Sequence, residues 1–174
     1  MKLWTFQSAD IENLLEKQPV FFADWKFTPV NWRAAFEWMA AEMERRGIPL
    51  EGKAPIWTWQ SCQTAGRGPT IGTALDSFTD FQLLSGMVLM EMEVPDELCL
   101  CSTYSGFLRL LDEVIDSGKV LHPSAHQDMF QIPEVLDGDD IQAAIPFIRK
   151  EWVLDIRSVD IKPGKSDYDP AILL

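Results

Sequence analysis

The stretch from Trp25 to Trp59 holds five of the seven tryptophans of this 174-residue chain. Its first half predicts a helix over 32–46, in which apolar side chains recur at helical spacing and share one narrow stripe. The stripe comprises Trp32, Phe36, Met39 and Met43. Asn31 is typical of the residue that caps a helix, and Gly47 is typical of the left-handed residue that ends one. So many large apolar side chains in one short segment predict a packed core there.

The second half of the stretch predicts a strand over 55–60 that places Trp57 and Trp59 on the same face. Trp25 lies in a predicted loop, and Trp38 lies roughly 120° away from the helix stripe. These last two are the candidates for an interaction surface, because exposed tryptophan often marks a binding site. The alternative is that they pack against a second element of the fold.

Composition and charge favour one folded domain and narrow the classes of partner. Hydrophobic residues make up 47% of the chain, which is enough for a core in a domain of ordinary length. The net charge of −12 argues against direct binding to nucleic acid or to an anionic membrane, and leaves a basic protein as the complementary partner. Three cysteines do not make a disulfide framework, and no signal peptide or membrane span is evident. We therefore predict a cytoplasmic location.

Strands and helices are interspersed along the chain without a regular alternation. The clearest are a strand over 87–94 and a helix over 104–116 that Gly118 ends. Pro146 predicts that a strand over 141–148 lies at a sheet edge or bulges, in a closing pair with 152–159. The pattern predicts a single α+β domain over 1–161, with a mostly antiparallel twisted sheet packed by two or three main helices. A loose C-terminal tail is predicted over 162–174.

The longest irregular segment, 61–76, is rich in glycine between Gly66 and Gly72. It lacks both the Gly-Lys-Ser/Thr of a phosphate-binding loop and the glycine spacing of a dinucleotide fingerprint. We predict a surface loop. If a ligand binds there, Arg67 is the natural contact for an anion.

Two cysteines and two histidines are the candidate metal ligands: Cys99, Cys101, His122 and His126. Two thiolates and two imidazoles suit tetrahedral zinc. The spacing is unusual, however, and Pro123 fits the first position of a helix, which puts His122 at the cap. The alternative, which we take as the main expectation, is buried cysteines, surface histidines and no metal.

Several segments resemble a prokaryotic family that is catalogued only as domain of unknown function 3841. They span most of residues 1–160 and comprise MKLWTFQ, FEWMAAEMERR, PIWTWQ, VLMEMEVPDELCLCS and IQAAIPFIRKEWVLDIRSV. The resemblance implies a soluble single-domain protein, and the family has no established activity to carry over.

The order of the predicted elements also resembles the ADP-ribosyltransferase-like fold. Active members carry His or Arg on the first strand and Glu at the start of a late strand. The matching positions here are occupied by Thr5 and Gln142, which the resemblance makes the catalytic candidates. It also makes Gln7 and Trp57 candidates for ligand binding, with NAD as the cofactor. Both catalytic positions depart from the pattern of active members and lack the groups that hold the cofactor and stabilise charge.

No motif in the sequence identifies a reaction. The main prediction is therefore a binding or interaction module with a protein partner of basic character and no cofactor. One alternative is an NAD-like nucleotide-binding enzyme of the ADP-ribosyltransferase-like type. The other is an acidic nucleic-acid mimic or inhibitor protein, which requires acidic side chains spread along one face.

Overall fold

A computed structural model describes residues 1–136 and 138–159 of the chain. Its strands are β1 (Lys2–Ser8), β2 (Val20–Phe21), β3 (Ile56–Ser61), β4 (Met87–Glu93), β5 (Leu100–Thr103), β6 (Ile141–Ile145), β7 (Ile148–Arg149) and β8 (Val153–Val159). Six of them form one sheet in the order β5-β6-β3-β1-β4-β8, in which every neighbouring pair is antiparallel. The other two, β2 and β7, form a small antiparallel sheet of their own.

Helices occupy the connections between these strands. They are α1 (Ile11–Lys17), α2 (Arg33–Arg45), α3 (Ile71–Ser77), α4 (Asp80–Leu84) and α5 (Tyr104–Ser117). Short 3₁₀ segments add to them, the longest being Pro123–Phe130. The predicted α+β class with an antiparallel sheet is confirmed. The predicted tail over 162–174, and the predicted domain end at 161, lie outside the described residues.

One face of the large sheet is covered by α2 and α5, and we call it the helical face. Met39 and Met43 of α2 share a buried cluster with Leu110 and Val114 of α5, and Ala144 of β6 forms its floor. Met39 and Met43 belong to the predicted stripe, and each of the five side chains is at most 2% exposed. Helix α5 ends at a left-handed glycine with φ of 75°, as its sequence predicts. Beside this cluster, a second one places α3 and α4 over Trp4, Phe6 and Trp59.

The opposite face of the sheet packs against α1 and the small sheet. Alternate residues of β4 (Val88, Met90 and Met92) contribute to this face, because successive side chains of a strand point to opposite faces. The buried cluster comprises Leu3, Ile11, Leu15, Ile56, Val88, Met90, Met92, Val94, Ala143, Ile145 and Ile148. Leu14 of α1 lies outside this cluster and is 39% exposed.

Strand β6 lies inside the sheet, between β5 and β3, and not at an edge. The edge position predicted from Pro146 was wrong, because the strand ends at Ile145, one residue before the proline. The proline therefore takes no donor position from the ladder. Strand β8 does not pair with β6 either; it forms the far edge beside β4. The pair of β6 with β3 does contain a register shift, between Trp59 and Ser61 of β3.

Two predicted boundaries around α2 and α3 also differ. Asn31 does not cap α2, since it lies within a 3₁₀ turn over Val30–Trp32 that precedes the helix. The segment over 61–76, predicted to be irregular, contains most of α3. Thr70 caps that helix through a reciprocal pair of hydrogen bonds with Thr73. No helix among the described residues is long and apolar enough to cross a membrane.

Candidate functional site

A small polar pocket opens on the helical face, where β3 ends, β6 begins and α5 starts. Its volume is about 150 Å³. The lining residues are Trp59, Gln63, Thr70, Gly72, Thr73, Asp76, Ser77, Tyr104 and Asp140. They come from four separate parts of the chain, which the sheet and α3 bring together. A pocket of this size suits one side chain or one small head group, since sites for drug-sized ligands are usually about 300–1,000 Å³.

The aromatic wall of the pocket is formed by Trp59 and Tyr104. Trp59 extends from β3, and Tyr104 is the first residue of α5. Their rings meet edge to face, with centroids 5.1 Å apart. Such a pair is held in one arrangement by packing and presents both ring surface and a phenol to whatever enters.

The acidic wall is formed by Asp76 at the end of α3 and Asp140 just before β6. The main chain of Asp140 is fixed, because its carbonyl oxygen accepts from the backbone N–H of Tyr104 at 2.8 Å. Its carboxylate accepts from the backbone N–H of Gln63 at 2.6 Å. The carboxylate is thus held in place.

The electrostatics of the pocket are strongly negative. Burial raises the pKa of the Tyr104 phenol, and the nearby carboxylates of Asp140 and Asp76 raise it further. Burial also raises the pKa of Asp140, and the neighbouring Asp139 adds to that rise against the hydrogen bond from Gln63. Both raised pKa values indicate an environment that disfavours additional negative charge. A bound cation would remove that unfavourable effect.

Cys62 lies beside the pocket and interacts with Thr73, but burial raises the pKa of its thiol to about 12. The Cys62 thiol is therefore protonated at neutral pH and is a poor nucleophile.

The structure places Thr5 and Gln142 on opposite faces of the sheet. Gln142 is the cross-strand partner of Trp59, which pairs with Trp4, so these three point to the helical face. Thr5 follows Trp4 and points the other way, with its hydroxyl donating to the carbonyl of Trp57 at 2.9 Å. The two catalytic candidates therefore do not share a cleft.

The ligand-binding candidates are also dispersed. The Gln7 amide donates to the Thr5 hydroxyl at 2.9 Å on the opposite face. Trp57 is packed under α5, with its ring 4.1 Å from that of Phe107. Arg67 follows the turn after β3, and its carbonyl accepts from the backbone N–H of Cys62. None of Thr5, Gln7, Trp57, Arg67 and Gln142 lines the pocket described above.

Three polar atoms on the helical face are buried without a hydrogen-bond partner among the described residues: Trp57 Nε1, Ser102 Oγ and Gln142 Oε1. Ser102 and Gln142 are direct cross-strand partners. An unpaired buried hydroxyl costs about 1–3 kcal/mol, because its bonds to water are not replaced. These groups are therefore a cost to stability at the centre of the fold.

We expect Ser102→Ala to leave the free energy of unfolding unchanged or to raise it by about 1 kcal/mol. Thr58→Val is the matched control, because the buried Thr58 hydroxyl donates to the carbonyl of Ala143 at 2.7 Å. That variant should lower the free energy of unfolding by about 1 kcal/mol. Urea unfolding followed by fluorescence measures both, and a larger loss for Ser102→Ala than for Thr58→Val would contradict the assignment.

The two tryptophans proposed for an interaction surface are each half-buried against other side chains. Trp25 donates to the carbonyl of Gly52 at 3.0 Å, and the guanidinium of Arg33 lies 4.3 Å from its ring centroid. Trp38 stacks on Phe130 of the 3₁₀ segment, with centroids 5.9 Å apart. Trp38 thus packs against a second element, and a role for either residue in binding a partner stays a prediction.

The four candidate metal ligands are not brought together. Cys99 and Cys101 pack on the face of the sheet that α1 covers. His122 and His126 instead contact Glu113 of α5, at 3.1 and 3.3 Å. No group of three or more His, Cys, Asp and Glu side chains among the described residues is placed to hold a metal ion. His122 occupies the N-cap position of the 3₁₀ segment that begins at Pro123, as the sequence predicts, although its side chain makes no capping hydrogen bond. The expectation of surface histidines was wrong for His126, which is buried.

The residues of the pocket were missed at the sequence level. Asp140 and Tyr104 each stand at the boundary of an element, where functional side chains often lie. The pair Thr70 and Thr73, which caps α3, is a sequence pattern that indicates the start of a helix in the glycine-rich segment. Nothing in the sequence indicated that Tyr104, Asp76 and Asp140 meet, since their contact depends on the strand order.

Comparison of the chain with family models, with curated proteins and with solved structures finds no match.

Proposed function

We propose that this protein is a binding module that recognises a basic group of a partner protein at the pocket between α3 and α5. The observation that carries the proposal is the lining: the carboxylates of Asp76 and Asp140 stand beside the rings of Trp59 and Tyr104. Carboxylates and aromatic rings together are the groups that bind ammonium and guanidinium ions in proteins.

The size of the pocket supports a side chain as the ligand. At about 150 Å³ it admits the end of a lysine or an arginine and excludes a nucleotide. Arginine fits best, because its planar guanidinium stacks on an aromatic ring and donates to two acceptors at once.

The negative net charge of the whole chain supports a positively charged partner. A net charge of −12 speeds the approach of a basic protein and repels anionic ligands, most strongly at low ionic strength. Within the pocket, the raised pKa of Tyr104 has burial as its main cause and the two aspartates as the others. A guanidinium would relieve the repulsion among these groups.

The proposal predicts selective binding of the peptide acetyl-Gly-Arg-Gly-amide over the same peptide with citrulline in place of arginine. Citrulline keeps the shape of the side chain and removes its charge. NMR titration that follows the indole N–H of Trp59 gives both dissociation constants. We expect Asp140→Asn to weaken the arginine peptide about tenfold or more, since a charge-assisted hydrogen bond contributes about 1.5–3 kcal/mol.

Glu44→Gln is the matched control, because it removes the same charge from an exposed site on α2. It should change binding by less than about twofold, through the weaker long-range field alone. Equal binding of the arginine and citrulline peptides would contradict the proposal. So would an Asp140→Asn variant that binds the arginine peptide as tightly as the parent chain does.

A further inference from the structure

We propose a binding site for a soft, thiophilic metal ion, of the Cu(I) or Ag(I) class, formed by the sulfur atoms of Met1, Cys99 and Cys101. The site lies on the face of the sheet that α1 covers, away from the acidic pocket. Thiolates and thioethers are the ligands that select Cu(I) over the harder divalent ions.

The spacing of the first two sulfur atoms matches shared coordination. Cys101 Sγ lies 3.7 Å from Met1 Sδ. Two sulfur atoms bound to the same ion lie roughly 3.8 Å apart when each bond is about 2.3 Å, the Zn–S length, and the angle between the bonds is tetrahedral. The observed 3.7 Å is close to that separation.

Met1 is held in place by its own backbone. Its ammonium group donates to the carbonyl of Val94 at 2.6 Å and to the Glu93 carboxylate at 3.2 Å, and it pairs with Asp96 at 2.8 Å. Its carbonyl accepts from the backbone N–H of Val94 at 2.8 Å. These contacts fix the start of β1 against the end of β4 and so keep the thioether beside β5.

Cys99 supplies the third sulfur. It stands two residues before Cys101, so both side chains point to the same face, and both pack against the same buried cluster. Its thiol donates to the carbonyl of Pro95 at 3.3 Å. A thiol is a weak hydrogen-bond donor, so rotating the Cys99 side chain about χ1 towards the ion breaks only a weak hydrogen bond.

The carboxylate of Asp96 and the ammonium group of Met1 both lie near the two thiols, so charges of both signs surround them. Each thiol that binds the ion gives its proton to solvent, so that one thiolate–metal bond replaces one S–H bond. Binding through both cysteines therefore releases two protons for each ion.

Silver(I) is used as the probe because it is redox-inert, whereas copper can change its oxidation state. Titration of the full chain with Ag(I), followed by NMR of ¹³C-methyl methionine, reports on the seven methionines. We expect one methyl signal, that of Met1, to shift at one equivalent. Calorimetry in buffers of different ionisation enthalpy should give the release of about two protons.

The double variant Cys99→Ser/Cys101→Ser should lose at least about 100-fold in affinity for Ag(I), and the Met1 signal should no longer move. Cys62→Ser is the matched control, since Cys62 packs in the cluster with Trp4 and Trp59 on the helical face. It should retain the first equivalent. If the double variant fails to fold, the test of the site is whether the Met1 methyl signal of the parent chain shifts when Ag(I) is added. An unmoved Met1 methyl group, or a first equivalent lost only in Cys62→Ser, overturns the site.

Discussion

Replacing Gly106 by alanine is expected to lower the free energy of unfolding by about 2 kcal/mol. Gly106 lies on the buried side of α5, where that helix crosses the 3₁₀ segment. An added Cβ atom would stand 2.5 Å from Met129 Cβ and 2.7 Å from Thr103 Oγ1. The Thr103 hydroxyl can rotate away, but Met129 Cβ is fixed to the backbone, Met129 Cα lies 3.1 Å away, and Met129 is only 1% exposed. The helix or the segment must therefore shift.

The magnitude is the balance of two effects. Alanine favours a helix over glycine by about 1 kcal/mol. Overpacking of a well-filled core costs about 1–3 kcal/mol and occasionally more. Since the contact involves Cβ and backbone atoms, the upper end of that range applies. For a chain of this length the melting temperature should fall by about 4–8 °C.

Asp112→Ala is the matched control for this variant, because it makes an alanine at an exposed position of the same helix. Its free energy of unfolding should stay within about 0.5 kcal/mol of that of the parent chain. Thermal unfolding by circular dichroism and urea unfolding measure both. A Gly106→Ala chain as stable as the parent would mean that the close packing of α5 on the 3₁₀ segment is not rigid.

The second large effect is expected from acid, through Glu113 of α5. Its carboxylate accepts from the backbone N–H groups of Leu121 and His122 and contacts both histidine rings. Burial alone would raise the pKa of Glu113, but these hydrogen bonds outweigh it and lower the pKa to about 2. The carboxylate thereby joins the end of α5 to the 3₁₀ segment that follows.

The sign of the pH dependence follows from that lowered pKa. A carboxyl group that is a stronger acid in the folded chain than in the unfolded one contributes stability above its unfolded pKa. That contribution is fully present above about pH 4.5 and is lost as the pH falls towards 2. The Glu113→Gln variant lacks this contribution to stability. The parent chain should therefore be more stable than the variant at pH 7, and the difference should shrink steadily below pH 4.5.

Urea unfolding at pH 7, 5, 4 and 3 gives this difference directly. Glu44→Gln on α2 is the control, since it removes an exposed carboxylate of the same type. Its difference from the parent chain should be small at each pH. If the gap between the parent chain and Glu113→Gln is the same at pH 7 and pH 3, the assignment to the carboxylate is wrong.

Much of the fold could be predicted from periodicity. The stripes of α2 and α5 and the alternation of β4 are local patterns, and each follows from the geometry of a single element. The position of β6 could not be predicted in the same way. A buried strand of five residues has the same apolar sequence pattern at any interior position of a sheet, and Pro146 lies just outside this strand.

The candidate site was less accessible to sequence analysis than the core. Trp59 was placed correctly on the same face as Trp57, but its partner in the pocket, Tyr104, is 45 positions further along the chain. The carboxylates of Asp76 and Asp140 carry no local signature that separates them from the other acidic residues. Their meeting depends on long-range strand pairing, which local propensity does not encode.

The order of the strands has a consequence for how the chain reaches its native state. Strand β1 is made first and lies at the centre of the sheet, while β6 enters between β5 and β3 only after both have been synthesised. Pairing partners are thus far apart in sequence, and closing such long loops is slow. A nascent chain that has not yet reached Ile141 has no strand to join β5 to the rest. The acidic pocket, whose wall begins at Asp140, is accordingly among the last parts of the molecule to form.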